Sequence, residues 1–275
     1  MKLNNFSKII ISLFIAVVLL WSFISFNSIQ NSSINYYFSL GIGVVALFGG
    51  IFGLYNSKKW GSLRSSVGKS LFFISLGLLF WSLGTFIFGY YNIFLSIEAP
   101  YPSLADASYI ISWPLWVIGM FYFIKATGAK FQLKKRIGRI IIFVIPIIVM
   151  VLSYYVLIIV ARQGIITDGS GGVLKNFFDI AYPVGDVIIL TITVLIYSLS
   201  FNYLGGFFKW PIIIIIGGFI FNYIADFIFI YTVTKETFYV GDFGDLFYVI
   251  AFFLLGLGVS LMDVNRLNDN ILTNT

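Results

Sequence analysis

The chain has 275 residues, of which 60% are hydrophobic and only 10% are charged, and its mean hydropathy is +0.99. A soluble domain carries about 25% charged residues, and a disordered chain combines low hydrophobicity with high net charge. The composition therefore excludes both classes. It predicts an all-α, polytopic integral membrane protein. The net charge of +6 is explained by membrane topology and by the anionic cytoplasmic leaflet, and it is not evidence for nucleic acid as a partner.

The chain contains no cysteine and no histidine. This absence excludes disulfides, Ser-His-Asp or Cys-His catalysis, histidine-ligated haem and the common zinc sites. Proton chemistry would have to use carboxylates, tyrosine or lysine, and a metal site would have to be oxygen-rich, of the calcium or magnesium kind. We predict no catalytic residue, no metal and no cofactor; an enzyme would need an aspartate-based site.

Eight apolar runs are long enough to cross a bilayer, for which about 20 residues suffice. The first follows Lys2 and Lys8 and has a signal peptide as its alternative, but no A-x-A cleavage site follows it, which favours a retained helix. The predicted spans, in one bundle over residues 1–262 with a short tail at 263–275, are 9–26, 34–55, 70–93, 104–124, 140–160, 176–199, 211–231 and 243–262.

The basic residues separate sharply between alternate loops. Three lie on one side, namely Arg162, Lys175 and Lys235, and fourteen lie on the other. Cytoplasmic loops carry the excess of Lys and Arg, so both termini are predicted to be cytoplasmic in a multi-pass plasma-membrane protein. The fourteen are Lys2, Lys8, Lys58, Lys59, Arg64, Lys69, Lys125, Lys130, Lys134, Lys135, Arg136, Arg139, Lys209 and Arg266.

Spans four, six and eight begin with the same short pattern, which is a cap residue, two residues, Asp, two residues, Tyr. The copies are about one helical hairpin apart, so the pattern predicts three related hairpins, formed by spans 3–4, 5–6 and 7–8. The three copies are Ser103-Leu-Ala-Asp106-Ala-Ser-Tyr109, Asn176-Phe-Phe-Asp179-Ile-Ala-Tyr182 and Asp242-Phe-Gly-Asp245-Leu-Phe-Tyr248.

These aspartates and tyrosines have a structural interpretation and a functional one. Ser, Asn and Asp are good helix N-caps, and an acid three residues later completes a capping box beside the positive end of the helix dipole. Tyrosine one turn further along suits the aromatic belt of the membrane interface. The alternative is a polar, ligand-binding pocket that includes Asp106, Tyr109, Asp179, Asp245 and Tyr248.

Two acids lie too deep in the membrane to act as caps. Asp186 is ten residues into span six and shares a helix face with Tyr182 and Asp179, and Asp226 lies in span seven with Asn222 one turn away. Ionisable residues inside a membrane mark polar interiors, relays or ligand sites by default. Asp186, Asp226, Tyr182 and Asn222 are therefore the central candidates for a polar site, and an interhelical structural hydrogen bond is the alternative.

Three segments carry a resemblance to a known family. They are Tyr101-Pro-Ser-Leu-Ala-Asp-Ala-Ser-Tyr109, Asp179-Ile-Ala-Tyr-Pro-Val-Gly-Asp186 and Gly241-Asp242-Phe-Gly-Asp245-Leu-Phe-Tyr248. They resemble the multi-span N-terminal sensory domains of bacterial diguanylate cyclases and sensor histidine kinases, over about residues 70–260. The resemblance implies an input module with a membrane-embedded or outward-facing site. The 275 residues contain no cyclase or kinase segment, so no enzymatic activity is carried over.

The function expected from these features is a stand-alone membrane sensory or ligand-binding module with an outward-facing polar site. The alternatives are an accessory subunit of a membrane complex and a small transporter that uses its intramembrane aspartates. The expected partners are the lipid bilayer and a protein that carries the output, and the sequence does not identify the ligand.

Overall fold

A computed structural model describes residues 3–127, 132, 134–167, 172–200 and 209–264. These residues form eight long helices and no strand, as predicted, and all eight are long and apolar enough to cross a membrane. The helices are α1 (Asn5–Phe26), α2 (Ser33–Lys59), α3 (Ser66–Gly89), α4 (Leu104–Ala126), α5 (Arg136–Ser153), α6 (Val173–Ser200), α7 (Lys209–Thr234) and α8 (Phe243–Leu261).

Most helices extend beyond the apolar run that predicts them, because polar caps and interfacial residues continue the helix outside the hydrocarbon. Helix α3 continues as a π-helical turn over Tyr90–Phe94, and α5 continues likewise over Tyr154–Ala161. Ser65 caps α3 by accepting a hydrogen bond from the Gly68 backbone N–H at 2.9 Å. Residues 265–275 of the predicted tail lie outside the described residues, as do Lys130 and Arg266.

The helix ends define two ends of the bundle. We call the end at which α4, α6 and α8 begin the motif end, and the opposite end, where α2 stops at Lys58 and Lys59, the lysine end. The first and last helices meet at the lysine end. There, Asn4 Nδ2 donates to the Ser260 carbonyl at 2.9 Å, and Lys59 Nζ lies 3.2 Å from Asp263 Oδ1.

The helices pack around an interior rich in aromatic side chains, and the outer surface is apolar. Trp116, Phe219 and Phe252 are completely or almost completely buried, whereas α1 and α5 expose large apolar side chains such as Phe26 and Phe143. Helix α1 packs on α2 and α8, and α5 packs on α6. The exposed apolar surface is the one that lipid would cover in a multi-pass membrane protein.

Two helical hairpins in the chain, α3–α4 and α7–α8, are built in the same way. Three side-chain contacts in the first have counterparts in the second: Ile74–Gly119 corresponds to Ile215–Gly258, Gly77–Trp116 to Gly218–Leu255, and Thr85–Tyr109 to Asp226–Tyr248. Every α7 residue in these pairs is numbered 141 above its α3 counterpart, as 226 is above 85. Every α8 residue is numbered 139 above its α4 counterpart, as 248 is above 109.

The correspondence extends to the order and packing of the other helices. Helix α2 packs on α3 and α8, and α6 correspondingly packs on α7 and α4. The chain therefore consists of two four-helix halves, α1–α4 and α5–α8. Because each half has an even number of helices, both halves would cross a membrane in the same direction, as parallel repeats do.

The remaining predicted repeat, spans 5–6, does not share these contacts. Helix α6 begins at Val173, so Asn176 lies inside its first turn instead of capping it, which corrects the predicted start at Asn176. Pro183 lies within α6, as Pro114 does within α4 and Pro146 within α5. The matched contacts thus relate two of the three predicted hairpins.

Candidate functional site

The candidate site is a polar cluster between α6, α7 and α8. Tyr248 Oη on α8 donates to Asp226 Oδ1 on α7 at 2.6 Å, and Asn222 Nδ2, one turn along α7, donates to Asp226 Oδ2 at 2.7 Å. Asp186 on α6 is close enough to Asp226 for the two carboxyls to interact electrostatically. We call Asp186, Asp226, Asn222 and Tyr248 the acid cluster.

Three members of the acid cluster are buried in the helical bundle, and Tyr248 is partly buried. The side chains of Asp186 and Asn222 belong to residues that are 2% exposed, and Asp226 is 8% exposed. Asp186 is thirteen residues from the first residue of α6, Val173, or about 20 Å along the helix axis. Asp226 is eight residues from the last residue of α7, Thr234, or about 12 Å. The structure therefore brings the two acids together inside the bundle, between α6 and α7.

The two carboxyls have different surroundings. Both oxygen atoms of Asp226 accept a hydrogen bond, whereas neither oxygen atom of Asp186 accepts one from a described residue. The approach of Asp186 to Asp226 does not satisfy it, because two carboxylates are both acceptors and need a bridging proton or cation to attract each other. Asp186 is thus a buried acceptor without a donor among the described residues.

Aromatic rings enclose the cluster on the side of the bundle core. The Tyr248 ring stacks on Phe252 at a centroid distance of 6.2 Å, and its centroid lies 5.8 Å from that of Trp81. Tyr223, whose hydroxyl is 2.9 Å from Ser153 Oγ, lies close enough to Asp186 to feel its charge. The aromatic side is apolar, and an electrostatic interaction there is stronger than it would be in water.

An apolar groove runs along the other side of Asp186. It has a volume of about 590 Å³ between α4 and α6, and Gly185, the neighbour of Asp186, contributes to its wall beside Trp113. Successive residues point about 100° apart on a helix, so Gly185 lines the groove while Asp186 lies in the acid cluster. The other lining residues are all apolar and are Ile110, Pro114, Val117, Ile118, Phe177, Ile180, Ala181, Val184 and Ile188.

The remaining predicted site residues lie at the motif end and join helices together. Asp106 accepts from the Ser103 backbone N–H at 2.8 Å, as a capping box requires, and its other oxygen accepts from Tyr182 Oη at 3.1 Å. Tyr109 Oη donates weakly to Thr85 Oγ1 at 3.4 Å. In the first motif, therefore, the capping interpretation holds and the carboxyl also ties α4 to α6.

The third motif also caps its helix, with a different bond pattern. Asp242 Oδ1 accepts from the Asp245 backbone N–H at 3.1 Å, and Asp245 Oδ2 accepts from the Gly241 N–H at 2.6 Å. Burial raises the pKa of Asp242, and hydrogen bonds from the backbone of Asp245 and Gly244 oppose that shift. Asp245 thus satisfies the backbone at the start of α8 and is not part of the acid cluster.

Two residues outside the acid cluster that contact or correspond to predicted site residues were not themselves predicted. Tyr101, in the loop before α4, donates to Asp179 Oδ1 at 2.9 Å; burial, followed by the interaction with Asp179, raises the Tyr101 pKa. Thr85 becomes visible only when α3 is aligned with α7, since it occupies the position of Asp226. Matching a residue of one hairpin to a residue of the other requires knowing how the helices of the two hairpins align, and the sequence alone does not give that alignment.

Comparison with models of protein families, with curated proteins and with solved structures finds no match to this chain. The resemblance to multi-span sensory domains thus stays a prediction, carried by the motif residues alone. The acid cluster has to be interpreted from its own geometry and chemistry.

Proposed function

We propose that the chain is a membrane sensory or ligand-binding module whose site is the acid cluster, with the motif end facing outward. The observation that carries the proposal is Asp186, a carboxyl that is 2% exposed and accepts no hydrogen bond from a described residue. An acid at the centre of a membrane helix costs about 2.5–3.5 kcal/mol on insertion scales. Because Asp186 accepts no hydrogen bond from a described residue, a bound ligand could supply the group that satisfies its carboxyl.

The internal repeat argues against a purely structural role for the acids. In the first half, Thr85 replaces Asp226 and still contacts its tyrosine, Tyr109. On α2, the residue next to Thr85 is Gly43, and a Cβ atom on Gly43 would lie 3.2 Å from the Thr85 Cβ. On α6, the corresponding residue next to Asp226 is Asp186. The same hairpin therefore packs without either carboxyl, so the acids of the second half serve something other than packing.

The outward orientation of the motif end rests on the distribution of charge. Of the Lys and Arg residues that the structure describes, eleven belong to the lysine end and three to the motif end. Cytoplasmic loops are the ones enriched in Lys and Arg. A site reached from the motif end would then sample the outside of the cell, and its state would reach the cytoplasm through α6, α7 and α8.

A small transporter is the second candidate. Acids near the bilayer midplane of a protein with parallel repeats are typical of ion-coupled carriers. Flux distinguishes the two functions: proteoliposomes that contain a sensor take up protons, sodium and calcium at the rate of empty vesicles, whereas a carrier raises one of these rates and Asp186→Asn abolishes the increase.

The sensory proposal is tested by a distance measurement across the lysine end. The chain has no cysteine, so Lys58→Cys on α2 and Trp210→Cys on α7 give one spin-label pair. We expect Asp226→Thr to shift the distance distribution by about 1–2 Å, which is typical of helix movements in switches. Glu98→Gln, which removes an exposed charge at the motif end, is the control and should change nothing. Identical distributions in all three backgrounds would refute signalling through the bundle.

A further inference from the structure

The acid cluster contains more hydrogen-bond acceptors than donors. Asn222 Nδ2 and the Tyr248 hydroxyl each donate to Asp226, and Asp186 accepts from no described donor. The amide oxygen of Asn222 is also buried and has no described donor. Three oxygen atoms, two from Asp186 and one from Asn222, therefore stand unsatisfied around a carboxyl that already has its two hydrogen bonds.

The cluster also carries an excess of negative charge. Arg162 is the described base that acts electrostatically on Asp186, but its guanidinium donates to the Ile166 carbonyl at 2.7 Å in an exposed position. The other charged or titratable groups that act on the cluster are acidic or phenolic: Asp245 acts on Tyr248, and Tyr223 feels Asp186. Buried carboxylates without a compensating positive charge are strongly destabilising, so the cluster needs a positive charge, which either a shared proton or a bound cation can supply.

We propose that Asp186, Asp226 and Asn222 bind one small metal cation that prefers oxygen ligands, between α6 and α7, with Tyr248 holding the Asp226 carboxyl in place. The residues that supply oxygen are of the types that calcium takes in proteins, and a divalent ion neutralises both carboxylates. Magnesium retains its water and demands octahedral geometry, so a dry interior favours calcium over magnesium. This inference rests on the proposed function for the position of the site, and it departs from the sequence-based prediction that the chain holds no metal.

The equivalent position in the first half supplies a variant that keeps the fold. Asp226→Thr copies Thr85, which occupies the same place in the α3–α4 hairpin. Because threonine packs at that place in the first hairpin, we expect it to be accommodated in the α7–α8 hairpin as well. Asp186→Asn keeps the shape of the side chain and removes its charge. The pair thus separates loss of the cation from loss of the fold, and melting temperatures at or above that of the wild type in cation-free buffer verify that separation.

The test measures melting of the full chain in detergent, stripped of metal, with calcium, magnesium or sodium added in separate arms at constant ionic strength. Binding only to the folded state raises the melting temperature by about 5–10 °C once the cation exceeds its Kd about 100-fold. We expect this rise for calcium or sodium in the wild type and in the control Glu98→Gln, and no rise in Asp186→Asn or Asp226→Thr. Equilibrium dialysis with the radioactive ion should give one site per chain.

Two results would overturn the cation site. One is a wild-type melting temperature that responds to pH and to none of the three cations, which would mean that a proton bridges the carboxyls. The other is an equal response in wild type and Asp186→Asn, which would place the ion elsewhere. If the cation fails while the spin-label distances still respond to Asp226→Thr, the sensory function stands and only its ligand is refuted.

Discussion

At the scale of single residues, the position of an aspartate along its helix decides its role. Asp106 and Asp245 lie in the first turn, where backbone N–H groups have no helical partner, and each accepts one of them at 2.8 Å and 2.6 Å. Asp226 lies near the other end of its helix, where no N–H is free, and it draws both donors from side chains. The same residue type is thus structural at one depth and a site candidate at another.

The two predicted caps, Ser103 and Asn176, have different environments and should respond differently to alanine. Ser103 takes part in a capping box with Asp106, so Ser103→Ala should lower the free energy of unfolding by about 0.5–2 kcal/mol. Asn176 lies inside α6, and its side-chain oxygen has no described donor, so Asn176→Ala should have no measurable cost. Melting of both variants in detergent checks the difference, and an equal loss at the two sites would contradict the observed start of α6.

The sequence alone predicts the depth of Asp186 and Asp226 but not their contact. Depth follows from counting residues along an apolar run, and both acids lie in the helix interiors as expected. Their meeting, and the bond from Tyr248, depend on how α6, α7 and α8 rotate about their axes. Rotation is set by side-chain packing between helices. Because nearly all residues of these helices are apolar, the sequence does not show which face of each helix is buried.

At the scale of helices, small residues set how closely the hairpins pack. A Cβ atom on Gly218 would lie 2.7 Å from Leu255 Cγ and 3.0 Å from the Leu255 backbone nitrogen. A Cβ on the neighbouring Gly217 would lie 3.6 Å from Leu254 Cδ1, which is an ordinary contact. Close approach of α7 and α8 therefore requires glycine at one of these two positions and not at the other.

The adjacent glycines give a matched pair of substitutions. Gly218→Ala should destabilise the protein by about 1–3 kcal/mol, because backbone has to move to admit the methyl group. Gly217→Ala should stabilise it by up to about 1 kcal/mol, since alanine favours the helix and meets no clash. Chemical denaturation or melting in detergent measures both. A stabilising Gly218→Ala would mean that α7 and α8 are further apart than described.

The extent of the helices is the feature that sequence predicts best. All eight predicted spans are present, and their bounds differ from the observed ones by a few residues because caps such as Ser65 extend the helix past the apolar run. The pattern that predicts three related hairpins is less reliable. It rests on a cap, an acid and a tyrosine, and α6 shows that these three residues can share a spacing without sharing a role.

At the scale of the whole molecule, the two halves have the same helix order, but a buried acid pair is described in the second half only. Contacts that match at a constant numbering offset, such as Thr85–Tyr109 and Asp226–Tyr248, indicate that one hairpin design is used twice. A repeat of this kind gives each half the role of internal control for the other. The difference between Thr85 and Asp226 is the observation on which the proposed site in the second half rests.

Under the sensory proposal, the pairing of the two halves offers a path for a signal across the membrane. Helix α8 packs on α1, α2 and α7, so it belongs to the interface of the halves as well as to the acid cluster. Gly49 on α2 approaches Gly256 on α8 so closely that a Cβ on Gly49 would lie 2.8 Å from the Gly256 Cα. A shift of α8 at Tyr248 would therefore be passed to α2 by direct backbone contact near the lysine end.

The orientation of the bundle in the membrane is a prediction of the charge distribution, and it can be tested directly because the chain lacks cysteine. Single cysteines at exposed loop positions, Gln163→Cys and Glu236→Cys at the motif end and Lys134→Cys at the lysine end, report which face a membrane-impermeant maleimide reaches. The excess of Lys and Arg at the lysine end predicts labelling of the first two in intact cells and of the third only after the cells are opened. Since eight helices place positions 163 and 236 on the same side, both must label together. Labelling of Lys134→Cys in intact cells would reverse the orientation, and opposite results at 163 and 236 would contradict the eight-helix topology.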